Sequence, residues 1–132
     1  MAFELTTAAR NAACDAIVDL LDGGTVTIYQ SSGAPPAVNA AANGTLLASP
    51  TFGSPAFGAA AAGVATANAI GSALAAASGE ADYFRLVTSG AATVAQGAAG
   101  DSGSDLNLGD ATIVAGADIG ISSMTVTVPE SA

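Results

Sequence analysis

Beyond residue 24 the chain returns to glycine so often that no helix of useful length fits there. The one long alanine-rich stretch, residues 56–81, favours helix by propensity, but Gly58, Gly63, Gly71 and Gly79 interrupt it. Within residues 64–70 every second residue is alanine. That spacing predicts a strand with one flat face, able to lie close to another backbone or subunit. Residues 73–77 leave room for one helical turn.

Ahead of the glycines lies one helical signal. Residues 6–22 place Ala9, Ala13, Ile17 and Leu20 with Leu21 at helical spacing, Thr6 or Thr7 can cap the first turn, and Gly23-Gly24 closes the last. Asp15, Asp19 and Asp22 form an acidic stripe on this helix, which reads as a solvated face or as a dock for a basic partner. Arg10 lies on the polar face. After Gly24 the period changes to two. Residues 25–29 alternate hydroxyl and apolar groups, residues 30–44 form a long exposed loop with Pro35-Pro36 and a closing Asn43-Gly44 turn, and Pro50 ends the strand at 45–49. Pro55 confines its segment to an edge or a loop. Later strands are expected at 83–87, 92–96, 106–108, 111–115 and 124–128, separated by Gly90, Gly97, Gly109 and Gly116. The pattern predicts a mainly β chain: an antiparallel β-sandwich (jelly-roll or Ig-like) over 25–128 behind one N-terminal α-helix, in a single domain spanning 1–132. No crossover helices separate the strands, which disfavours a parallel α/β sheet.

Charge then narrows function. Two basic residues, Arg10 and Arg85, stand against 11 acidic ones for a net charge of −9. Nucleic acid, whose phosphates need Lys and Arg, is excluded as a partner, and so is an anionic membrane surface. No run of larger apolar residues approaches the ~20 that span a bilayer. Glu4 stands where a secretory signal would be positive, so nothing at the start directs classical export. Histidine and lysine are absent, which removes the usual general bases and phosphate-loop lysine, and no enzyme is expected. Gly100-Asp101-Ser102-Gly103 mimics a serine-nucleophile neighbourhood without any histidine to activate it. Cys14, the single cysteine, reads as a small buried hydrophobe.

Asp101, Asp105, Asn107 and Asp110 cluster within ten residues, the best metal candidate in the chain. The cluster departs from a calcium loop, with Gly103 at a ligand position and Thr112 in place of the bidentate Glu. It reads as a run of turn formers, and neither metal nor cofactor is expected. Arg85, mid-strand, has Glu80 and Asp82 nearby for a cross-strand salt bridge, with an intersubunit contact as the alternative. Phe3 and Leu5 precede the helix cap, either as a docking arm or as a staple onto their own helix. Alanine takes 34 positions, so the core is thin and burial between subunits is advantageous. A homo-oligomer, most simply a trimer, is expected. The partner-interface residues are then Phe3, Leu5, Arg10, Asp15, Asp19, Asp22 and Arg85.

Three sets of residues carry a resemblance: Ala8-Ala9-Arg10-Asn11-Ala12-Ala13 with Asp15-Ala16-Ile17-Val18-Asp19-Leu20-Leu21, Tyr83-Phe84-Arg85 with Ala95-Gln96-Gly97, and Ser104-Asp105-Leu106-Asn107-Leu108. Together they resemble the small structural proteins of tailed-bacteriophage virions. The resemblance implies a virion component made in the host cytoplasm, most like a head decoration or cement protein that binds the major capsid protein on the outer capsid surface. Tail, neck or fibre placement is the alternative within the virion. A self-assembling cell-surface or adhesin module is the alternative of another class.

Overall fold

The computed structural model describes residues 3–108 and 111–129. The helix α1 (Thr7–Asp19) begins where the sequence predicts: the Ala9 amide donates to Thr6 Oγ1 at 3.1 Å. It ends earlier than the expected residue 22. The Leu20 and Leu21 amides bond to the Ile17 and Val18 carbonyls, tightening the last turn before Gly23 enters the left-handed region.

Short strands follow: β1 (Thr25–Gln30), β2 (Thr45–Ala48), β3 (Thr51–Phe52), β4 (Val64–Thr66), β5 (Ile70–Gly71), β6 (Ala73–Leu74) and β7 (Gly79–Glu80). The second half adds β8 (Tyr83–Val87), β9 (Thr93–Gly100), β10 (Leu106–Asn107), β11 (Thr112–Ile113), β12 (Asp118–Ile119) and β13 (Thr125–Thr127). The chain is mainly β, its sheets antiparallel apart from the parallel β9–β10 pair, with one helix near the N-terminus. Seven strands make the main sheet in the order β10-β9-β8-β1-β3-β5, with β2 also on β1. Pro50 separates β2 from β3 along the same side of β1, and its carbonyl accepts from Val26. Instead of a second continuous sheet, three two-stranded ribbons, β4–β13, β6–β12 and β7–β11, complete a sandwich-like arrangement. Glycine is the physical reason: residues 56–81 are broken into pieces too short for a long ladder.

The single helical turn at 73–77 gives way to β6, whose partner β12 had no sequence signal. The strand expected at 92–96 runs on to Gly100, because Gly97 and Ala98 pair across to Phe84 and Tyr83. A Cβ at Gly97 would meet the Phe84 ring at 2.8 Å, so the aromatic ring lies flat on the bare backbone.

Register divides the main sheet into two chemically different faces. Val26 opposite Leu86 and Ile28 opposite Phe84 face the core. Leu21, Val26, Ile28 and Leu47 are fully buried, each worth about 1.5–3 kcal/mol in area removed from water. Cys14 and Val18 of α1, Ala65, Ile113, Ile121 and Met124 join the same cluster. The other face carries Thr25, Thr27 and Tyr29 of β1 beside Val87, Arg85 and Tyr83 of β8. This is the polar face, and the 31–44 loop lies over part of it.

Candidate functional site

The residues singled out by charge turn inward. Asn11, Asp15 and Asp22 recur on one side of the helical segment and take backbone amides from residues 56–63: Gly63 donates to Asn11 Oδ1 at 2.8 Å, Ala60 to Asp15 Oδ1 at 2.8 Å, and Ala56 to Asp22 Oδ1 at 2.7 Å. That segment has no long ladder of its own, and its amides need acceptors. Asp19 alone of the stripe remains exposed. Arg10 donates from Nε to the Val128 carbonyl at 3.1 Å and from Nη2 to the Ala62 carbonyl at 2.8 Å. Cys14 is buried as expected, and its Sγ donates to the Val126 carbonyl at 3.3 Å. Three of the predicted interface residues, Arg10, Asp15 and Asp22, thus bind the chain's own loops.

Arg85 is only 4% exposed. Its hydrogen bonds within the chain go to neither Glu80 nor Asp82 among the described residues. Nε donates to Gln96 Oε1 at 2.8 Å, and Nη2 to the Ala37 and Ala40 carbonyls at 3.2 and 2.8 Å. The Gln96 amide donates to the Pro36 carbonyl at 2.6 Å. Tyr83 completes the hold on the loop: its hydroxyl donates to the Asn43 carbonyl at 2.7 Å and accepts from the Asn43 amide at 3.0 Å. Asp82 takes both the amide and the hydroxyl of Ser31 at the loop's start. The Tyr83 ring stacks on Tyr29 at 4.9 Å between centroids, 10° apart in plane. Burial pushes the Tyr83 phenol above its ordinary value, opposed by the Asn43 backbone hydrogen bond and the Arg85 charge.

The acidic loop is likewise structural where it is described. Asp101 Oδ1 accepts from the Ala111 amide at 2.5 Å and Asp105 Oδ2 from the Ala98 amide at 3.0 Å. Asp110 lies outside the described residues. Among the described residues no group of three or more His, Cys, Asp or Glu side chains is placed to hold a metal ion.

Sequence reasoning gave no bonding role to Asn11, Asn43, Tyr83 and Gln96, and it set Asp82 beside Arg85 where the structure sets it on Ser31. One signal was available: counting outward from the turn at Gly90-Ala91 sets Gln96 opposite Arg85, as the observed register does. The helix-to-loop bonds span 34 to 52 positions and leave no local trace.

Among the described residues the most exposed large apolar side chains are Phe3 at 81%, Leu74 at 69%, Val114 at 61% and Leu20 at 56%, followed by Val38 at 42% and Leu46 at 40%. Phe3 is therefore not stapled onto the helix, whereas Leu5 is half-buried. Hydrogen bonds from Ala75 to Ala117, from Gly116 to Ala75 and from Ala117 to Val114 bring Leu74 and Val114 to one end of the β6–β12 ribbon. Exposed Ala76, Ala115 and Ala117 are close to them in the chain, and exposed Asp118 pairs with Leu74 across the ribbon. No helix among the described residues is long and apolar enough to cross a membrane. No protein-family model, curated protein or solved structure matches the chain.

Proposed function

We propose that this is a non-enzymatic structural protein that docks in many copies on the outer surface of an icosahedral phage head and stabilises the shell. The observation that carries the reading is the division of labour among side chains. Arg10, Asn11, Asp15, Asp22, Asp82, Arg85 and Gln96 fix the chain's own backbone, while Leu74 and Val114 stand exposed at one end of a ribbon. A chain built this way acts by binding. Apolar contact at the Leu74–Val114 end and at Phe3 supplies affinity, the −9 charge steers the chain toward a basic or mixed surface, and a symmetric lattice multiplies modest contacts. The thin core favours assembly as a trimer, with the major capsid protein as partner.

Co-sedimentation with intact virions and with empty heads of capsid protein alone tests the reading. Binding to both is expected, with decorated heads melting at higher temperature than bare ones. A Leu74→Ser, Val114→Ser double variant should fold normally and lose occupancy, and deletion of residues 2–5 should lower it further. Decorated heads no more heat-resistant than bare ones would overturn the cementing role, and binding to tails alone would move the protein elsewhere in the virion.

A further inference from the structure

The polar face of the main sheet is only partly covered by the 31–44 loop. What stays open is a groove of about 450 Å3, within the ~300–1,000 Å3 range of small-ligand sites. Its lining includes Thr25, Thr27 and Tyr29 of β1, Arg85 of β8, Thr93 of β9 and Ser89 from the turn between them. No carboxylate among the described residues lines it. In a molecule of net charge −9 this is a place where an anion meets a cation first.

Arg85 is the decisive group. Its Nε and Nη2 are held by Gln96 and the loop carbonyls, but Nη1 has no acceptor among the described residues. A guanidinium already fixed in place and largely removed from water binds an oxyanion with little further loss of side-chain freedom. Around it, the hydroxyls both donate and accept, which matches a ligand rich in hydroxyls, and Val87, Ala42 and Ala91 offer small apolar surface for its C–H groups.

We infer that this groove binds an acidic sugar, a hexuronate residue, with the carboxylate on Arg85 Nη1 and the ring hydroxyls among Thr25, Thr93 and Ser89. A monoanion fits better than a phosphate dianion, since the second charge adds repulsion from the molecule's net charge of −9 without adding a donor. The inference does not rest on shell docking, because the groove shares no residue with the exposed Leu74, Val114, Phe3 and Leu20 set.

Calorimetric titration of the full chain with sodium D-glucuronate, and separately with D-glucose, sodium acetate and inorganic phosphate, provides the test. Saturable glucuronate binding is expected, with glucose and acetate each weaker by about tenfold or more. Because Arg85 also holds the 31–44 loop, its replacement mixes binding with folding, so hydroxyl variants are decisive: Thr93→Val and Thr25→Val should each lower glucuronate affinity about three- to tenfold with an unchanged melt. Absence of saturable glucuronate binding would overturn the proposal. So would acetate or phosphate binding as tightly as glucuronate, or Val variants that bind like the parent chain.

Discussion

Tyr83 shows how much one side chain does here. Fully buried and bonded twice to Asn43, it keeps its proton above the ordinary tyrosine value of about 10. In the unfolded chain the phenol ionises near that ordinary value, so the stability it contributes is complete below about pH 10 and is lost as pH rises through the folded value. A spectrophotometric titration of the two tyrosines should resolve a late step that disappears in Tyr83→Phe, and stability should fall more gently with alkaline pH in that variant. Gly63 is equally exacting. Its φ is +77°, and a Cβ there would meet Arg10 Nη2 at 2.7 Å and the Val128 carbonyl at 2.8 Å. Gly63→Ala should therefore destabilise by about 2 kcal/mol or more in urea unfolding, through left-handed strain and a displaced guanidinium together.

At the scale of the element, the helix is a row of pegs. Asp15 and Asp22 each hold an amide that would otherwise lose its acceptor, whereas Asp19 is exposed. Asp15→Ala and Asp22→Ala should each cost about 1–3 kcal/mol, and Asp19→Ala should stay within about 0.5 kcal/mol. Hydrogen exchange at the Ala60 and Ala56 amides should accelerate in the matching variant only. The three carboxylates look alike in the sequence, and only the path of residues 56–63 tells them apart. Elements set by local pattern were legible: Thr6 as the helix cap, the change to period two at Thr25, and β8 at Tyr83–Val87. Those set by remote partners were not. β12 forms because β6 lies beside it, and β9 extends because Gly97 admits the Phe84 ring. The partners of Arg85 are carbonyls on a loop that sequence pattern gives no reason to fold back.

For the whole molecule, the proposed trimer predicts a light-scattering mass near three times the 12.4 kDa chain and a melting temperature that rises with concentration. A stable 12.4 kDa species with a concentration-independent melt would contradict it. The bonds from Arg10 and Cys14 to Val128 and Val126 reach across 118 and 112 positions. Their consequence is one of timing during synthesis. The helix leaves the ribosome long before it finds its seat, because β13, which supplies that seat with its partner β4, is translated more than a hundred positions later. Until then Cys14 and Val18 lack part of their cover, and hydrophobic surface waits in a crowded cell. A chain stopped after Ser123 should be more open to protease than one that carries β13, because α1 is fully seated only once that strand has emerged.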